Sequence, residues 1–409
     1  MRRVIGMDIH RTLRRWWFGK TAGCAITDGS TARDWKGSAA VCDGRMRLSS
    51  RLGNAMAVVR VLSPHVGRVI VANPMQVKAI AHARIKTDKI DAGVLAQLHA
   101  SGFLPEVWVP DERTERLRRL VARRNQVVSH AREERGAWHP AGAPRAEVPA
   151  CRSVQPSGSR LARAAERQVL PDDERAAIAR HIREIDRLAE DLADLDRDIA
   201  REAVDDAQVR RLQTITGVNV IVASGIIAAV GDIRRFREPQ KLVSYFGLNP
   251  RVRQSGLGLA QYGRISKHGR SHARAMLVEA AWAAAKAPGP LRAFFLRIRN
   301  KRGHQVAAVA VARKLAVLIW HLLTKEQDYF WARPSLVAAK QRQLALKAGA
   351  PGERGVGRRG SAYAYNVKEL RNSEKAAAEN AERAYELMVR HWRSRGPKRR
   401  TDATNEERL

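Results

Sequence analysis

Apolar positions along this chain fall into short runs and long periodic stretches, and the two predict different structure. Residues 3–9, RVIGMDI, read as a short buried strand ending in an acid. Arg68-Val69-Ile70-Val71-Ala72 reads as a second strand, closed by the turn pair Asn73-Pro74. Between them, 11–52 shows little strand alternation. Residues 88–100 fit a helix with Ile90, Val94, Leu95 and Leu98 on one side. A strongly basic helix over 111–131 carries Leu117, Leu120, Val121, Val127 and Val128.

The clearest period lies at 172–200. Ile178, Ile182, Ile185, Leu188, Leu192, Leu195 and Ile199 are spaced 4, 3, 3, 4, 3 and 4, a coiled-coil seam. Pro171-Asp172-Asp173 gives it an acidic start. The seam needs a partner, either a second copy or the basic helix 111–131, and we expect a homo-oligomer through 172–200. Residues 209–248 read as helix, glycine hairpin, helix. Thr216-Gly217-Val218 there fits a helix-hairpin-helix whose amides hold a DNA phosphate, or equally a hairpin packed on its own core. An apolar core helix follows at 305–323, then a Gly- and Arg-rich connector after Trp331. An amphipathic helix near 367–392 precedes the basic end RSRGPKRR, which suits a polyanion. The expected organisation is an acidic α/β domain over 1–110, helices including the coiled coil over 111–204, a mainly α domain over 209–330, and a basic tail over 331–409.

Charge narrows the partners. The 409 residues hold 75 Lys+Arg against 41 Asp+Glu, a formal net charge of +34. Arg supplies 59 of the 75, the side chain suited to bidentate phosphate contact. Such an excess favours nucleic acid or an acidic membrane surface. No window holds 18 uninterrupted apolar residues, and MRRVIGMDIH lacks a long apolar stretch, so neither a membrane span nor a signal peptide is expected. Cys24, Cys42 and Cys151 are too widely spaced for a disulfide framework or a zinc knuckle. No GxxxxGK[ST] run marks an ATP-binding loop.

Two constellations carry candidate chemistry. Asp8 ends the first strand, and Asp88 and Asp91 stand three apart on one helix face. Carboxylates gathered at a sheet end are the hard ligands magnesium requires, although spacing alone fits a helix cap or surface charges as well. The second lies at 247–274, where Arg251, Arg253, Arg264, Lys267, Arg270 and Arg274 surround Ser255 and Ser266 among glycines. Clustered cations stabilise the charge of a phosphoryl transition state, and a serine there is a potential nucleophile. From chemistry alone, a loop that merely grips the DNA backbone explains the pattern better.

The motifs IGMDIH (5–10), VIVANPMQVKA (69–79), KTDKIDAGVLAQL (86–98) and GFLPEVWVP (102–110) resemble the RuvC-like half of DEDD-type insertion-sequence transposases, the IS-one-ten family. ITGVNVIVASGIIAAVGDIRRF, LVSYFGLNP, QSG and GRISKHG, in that order, are similar to the family's C-terminal transposase domain. The resemblance implies a RuvC/RNase H-like N-terminal fold whose acids Asp8, Asp88 and Asp91 hold Mg2+. It implies a serine that links covalently to DNA, with Ser255 in QSG the first choice and Ser266 in RISK the second. It further implies DNA at the element ends and target, a structured guide RNA, a coiled coil that joins the domains, and a cytoplasmic, nucleoid-associated protein.

The sequence departs from the family pattern in one telling place. A Glu is expected just before the helix beginning near Asn54, and this chain has Ser50 and Arg51. Ser-Ser-Arg is what codons for Val-Ile-Glu yield when read one nucleotide out of phase. The stretches 11–52 and 132–165 both look foreign to the family, and all three cysteines fall within them. We read them as compensated frameshifts in a GC-rich gene, against the alternative of family divergence. The expectation is a degenerate copy with greatly reduced recombination.

Overall fold

The computed structural model describes residues 4–9, 45–50, 59–60, 63–64, 68–73, 76–77, 88–137, 171–255, 260–352 and 367–391. The chain forms two compact units, Met1–Asp111 and Glu112–Leu409.

The first unit holds a sheet of β1 (Val4–Ile9), β2 (Arg45–Ser50), β3 (Val69–Ala72) and β4 (Glu106–Val107), in that spatial order. β1, β2 and β3 are parallel and β4 runs antiparallel to β3. Parallel neighbours require long crossovers, which residues 10–44 and 51–68 supply. Helix α1 (Asp88–Ala100) covers the sheet, with Leu95 meeting Ile70, Ala72 and Leu104 in a small core and Leu98 packed beside them. It also packs against β1. β2 lies inside the stretch 11–52, where the rest of the sheet belongs but the sequence shows little strand alternation. Its sequence RMRLSS has no β-branched residue, and it is a strand because β1 and β3 hydrogen-bond to its two edges.

The second unit is helical. Helix α2 (Glu112–Ala137) and helix α3 (Asp172–Ala203) form an antiparallel pair. Side-chain pairs run in opposite sequence directions: the ion pairs Arg113–Asp206 at 2.9 Å, Arg116–Glu202 at 2.7 Å and Arg124–Asp196 at 2.6 Å, and the His181–Glu134 hydrogen bond at 2.7 Å. Val127 and Ala131 of α2 fill the seam beside Leu188, Leu192 and Leu195 of α3. The coiled-coil partner expected from a second copy is therefore, over this part of the seam, the chain's own basic helix. Its arginines find the acids of α3, so one helix answers both the apolar and the charge pattern.

Helix α4 (Ala207–Gln213) follows, capped by Asp206, whose carboxylate accepts the Gln208 and Val209 amides. Helix α5 (Val220–Val230) is capped by Asn219. Next come α6 (Pro239–Tyr245), α7 (Ser271–Ala284), α8 (Pro290–Arg302) and α9 (His304–Lys325). α9 is long and apolar enough to cross a membrane. Here its Val311, Leu315 and Ile319 are fully buried and it packs against α4, α6, α7 and α8, which makes it the core helix the sequence predicts. Leu117 and Val121 of α2 and Ile199 of α3 belong to the same core.

Past Trp331 the sequence reading is corrected again. Residues 334–348 form helix α10 (Pro334–Ala348) rather than the start of a connector. Pro334 in the first turn and Gly349 in a left-handed C-cap mark its ends. Lys340 ties it down: its Nζ donates to the carbonyls of Gln213 (2.7 Å) and Ile215 (3.1 Å), and burial pushes its pKa down to about 8. The final helix α11 (Lys368–His391) packs on α8, where Glu382 pairs with Arg292 at 3.2 Å.

The hairpin between α4 and α5 packs on its own core. Gly217 adopts φ +91°, and a Cβ there would lie 2.5 Å from the Ala280 carbonyl oxygen and 2.7 Å from the Ala284 nitrogen. Its glycine lets α7 approach the hairpin. Substituting Gly217→Ala is expected to cost about 3 kcal/mol by urea unfolding, because strain and backbone overlap add. Gly303→Ala, at φ +85° with nothing within 4 Å, is expected to cost only about 1 kcal/mol.

Candidate active site on an arginine-rich ribbon

The C-terminal end of α5 anchors this region. Exposed carbonyls at a helix end carry partial negative charge and attract cations. Arg118 donates through Nε to Ala228 (2.6 Å) and through Nη2 to Ala229 (3.1 Å), and Arg235 Nε donates to Val230 at 2.9 Å. Tyr245 Oη donates to the Ala229 carbonyl at 3.0 Å and accepts from Arg270 Nε at 2.8 Å. Arg235 also lies over the rings of Phe236 (4.2 Å) and Tyr245 (4.5 Å). Burial would raise the pKa of the Tyr245 phenol, but the guanidiniums of Arg270 and Arg235 outweigh it and hold the phenol below its ordinary value.

A tight knot then turns the chain outward. Gly247 (φ +67°) and Gly269 (φ +112°) let two backbone segments touch, since a Cβ on either would fall 2.2 Å from a carbonyl oxygen. Arg274 Nη1 donates to the Phe246 carbonyl at 2.9 Å. Ser266 donates its amide to Asn249 at 2.7 Å, and Lys267, itself at φ +58°, donates its amide to Gly247 at 3.1 Å. From this base rises an antiparallel ribbon, β5 (Pro250–Arg253) and β6 (Gln261–Ile265).

The sequence showed only a glycine-rich basic loop here. Nearly all of the ribbon is exposed, Val252 at 52% and Tyr262 at 74% included. Gly263 leaves room for Arg251, whose Cβ would lie 3.7 Å from a Cβ at 263. Arg251, Arg253, Arg264 and Lys267 form no ion pair among the described residues, and no Asp or Glu occurs between Glu238 and Glu279.

Ser255 is exposed, two residues beyond the end of β5, while Ser266 is half-buried at the ribbon's base. The ribbon thus separates the two candidate serines to opposite ends and offers the first to solvent. The six expected nucleic-acid contacts also divide. Four project from the ribbon and its base, whereas Arg270 and Arg274 hold the knot together. Tyr245, Arg235 and Arg118, which sequence reasoning missed, support that knot. Tyr245→Phe is expected to lower stability by about 1–2 kcal/mol in urea unfolding, because the Ala229 carbonyl and Arg270 each lose a partner.

The acids sit on the first unit. Asp8 lies one residue from the end of β1, level with Ser49 of β2, and Asp88 and Asp91 occupy the first turn of α1. Their side chains fall outside the described residues. β2 ends in Ser49-Ser50, and no Asp or Glu occurs between Asp43 and Asp88, so no acid from that span stands beside Asp8. Among the described residues no group of three metal-binding side chains clusters elsewhere.

Comparison with known proteins places this geometry. Residues 209–296 match the model described as the transposase IS116/IS110/IS902 family, and 43–136 match a transposase model of the DEDD IS110 type. A Sinorhizobium fredii protein named "Putative transposase y4qE" is 30% identical over 289 residues, covering 61% of this chain and 68% of the relative. The chain belongs to the IS110 family of DEDD transposases. A "Probable family 20 transposase" of Pseudomonas aeruginosa is 33% identical over 150 residues, 36% of this chain and 44% of that protein. The "Transposase for insertion sequence element IS1111A" of Coxiella burnetii is 33% identical over 144 residues, 34% and 39% respectively. The chain thus spans less than half the length of these two relatives. The C-terminal family match runs through α4–α8 and includes the whole ribbon, whereas most of 11–52 and 132–165 lies outside both matches.

Proposed function

We propose that this transposase moves its insertion sequence by phosphoryl transfer on DNA, with Ser255 as nucleophile. The observation that carries the reading is the bare ribbon. A two-stranded ribbon has the width to enter a DNA major groove, and isolated ribbons are marginal in water unless something covers them. Here unpaired guanidiniums line one that presents a serine hydroxyl.

Ser255 Oγ attacks a backbone phosphorus and forms a new phosphate ester. One ester bond to the neighbouring sugar breaks; the hydroxyl proton leaves to solvent and the departing sugar oxygen takes one up. Arg251, Arg253 and Arg264 offset the charge that builds on the phosphate oxygens. Asp8, Asp88 and Asp91 supply oxygen donors of the kind Mg2+ prefers, on a strand end and a helix start that pack together, and a RuvC-like fold fits the parallel β1–β2–β3 order. Bound there, the ion would polarise a phosphate oxygen. A structured RNA of the element is the second polyanion this reading expects. An oligomer remains part of the reading, but it needs a surface other than the seam of α3 that α2 fills. DNA as substrate puts the protein with the nucleoid in the cytoplasm.

Denaturing gels of the full chain with element-end DNA and Mg2+ test the proposal. A covalent adduct lost in Ser255→Ala and retained in Ser266→Ala is the expected result. An adduct that survives Ser255→Ala refutes the assignment. No adduct with either form leaves a nucleic-acid-binding protein without chemistry. Cleavage that needs Asp88 but ignores Ser255 identifies a metal-dependent nuclease instead.

A further inference from the structure

Part of the positive charge of the second unit is neutralised internally. Arg113, Arg116 and Arg124 of α2 face acids of α3 or its C-terminal flank, and Arg292, near the start of α8, faces Glu382. The far end of α8 differs. Between Glu238 and Glu326 the chain carries 16 Lys and Arg and a single acid, Glu279. Four of those cations, Arg297, Arg299, Lys301 and Arg302, fall within six consecutive residues at the C-terminus of α8. None forms an ion pair with a carboxylate among the described residues.

The corner that bears them is built to hold its shape. Phe295 contacts Trp282 (5.7 Å between ring centres) and His304 (6.2 Å), which braces α8 against α7 and the start of α9. Arg297 lies over Phe294 at 5.3 Å. The chain reverses at Gly303 (φ +85°), where nothing lies within 4 Å of the position a Cβ would take, so the outer surface is open. Arg297, Lys301, Arg302, His304, Gln305 and Val306 are all exposed around it. A dense cluster of like charge without carboxylate partners is unfavourable unless an anion meets it, and one on a braced backbone loses less entropy on binding.

We propose that the α8–α9 corner is a second contact for the phosphate backbone of duplex DNA, separate from the β5–β6 ribbon. The inference rests on DNA being the substrate but not on the serine chemistry. The cations grip backbone without reading sequence, and they hold the duplex while the ribbon engages the phosphate that reacts.

The test is the salt dependence of full-chain binding to element-end duplex, followed by fluorescence anisotropy. Each lysine or arginine that meets a phosphate contributes about 0.9 to the slope of log affinity against log salt. The variant R297Q/K301Q/R302Q is expected to flatten that slope by roughly 2.7 and to weaken binding about a hundredfold at 0.1 M salt. The double variant K301Q/R302Q, which leaves the Arg297–Phe294 contact intact, is expected to flatten it by roughly 1.8, and its unchanged thermal midpoint guards against misfolding. Lowering affinity by the same factor on an unrelated duplex is also expected, since backbone contacts carry no sequence. An unchanged slope overturns the proposal. So does a loss confined to structured RNA with duplex DNA binding intact, which would assign the corner to RNA. Failure of the serine chemistry alone leaves these binding slopes as expected, so the two readings fail separately.

Discussion

Asp88→Asn and Asp91→Asn are each expected to reduce Mg2+-dependent strand cleavage by about a thousandfold, on the order of 4 kcal/mol of barrier. Both residues occupy the first turn of α1, which packs against the strand that carries Asp8. An amide there keeps the size and loses the charge that neutralises a divalent ion. Cleavage timed on a nicked element-end substrate over a Mg2+ titration checks this. If the asparagine variants lose nothing at saturating Mg2+, the acids are helix caps and surface charges, and the catalytic metal is elsewhere.

The second large effect is a gain. The family expects a glutamate near Ser50 and Arg51, and the structure makes its loss concrete, because β2 runs beside β1 and ends in two serines. With no acid between Asp43 and Asp88, the proposed metal site would have three carboxylates where the family resemblance implies four. We therefore expect the natural chain to recombine its element at least ~100-fold more slowly than a four-acid site would, as a weakened metal site and a misplaced phosphate both raise the barrier. Ser50→Glu or Arg51→Glu should recover at least ~10-fold of that rate, most clearly at limiting Mg2+. Both variants matching the natural chain would show that the missing acid does not limit the reaction. Resequencing the gene bears on the cause: a shifted frame across 11–52 that reveals no acid-bearing strand pattern would dismiss the frameshift.

What the sequence made legible follows from how local each signal is. Helices α1, α3 and α11 were readable to within a few residues from apolar positions repeated at helical spacing, and α9 from a nearly continuous apolar run. β2 was not, because RMRLSS has neither alternation nor β-branched residues and owes its conformation to two neighbours distant in sequence. α10 was hidden for a different reason: its end signals, Pro334 and Gly349, were present, but the glycines and arginines just beyond dominated the composition. For α3 the sequence declared that a partner exists without saying which. The answer lay in long-range pairs such as Arg124–Asp196, which no single window contains.

The site divides in the same way. Cations and serines at 251–274 announced phosphate chemistry, yet a run of letters does not show that four of those cations stand on and beside an uncovered ribbon while Arg270 and Arg274 hold its base. Nor did it point to Tyr245, whose role comes from meeting Ala229 and Arg270 across the fold. The Tyr245-Phe246 pair just before Gly247 was the available hint.

One hydroxyl decides the proposed chemistry, and one measurement addresses it directly. Element-end DNA is incubated with the full chain and Mg2+, the complex is digested with nuclease and protease, and peptides bearing a residual nucleotide are identified by mass spectrometry. The predicted result is a nucleotide on the peptide that contains Ser255, with fragment masses placing the phosphate on that side chain. A nucleotide on Ser266 or on any other residue would contradict it.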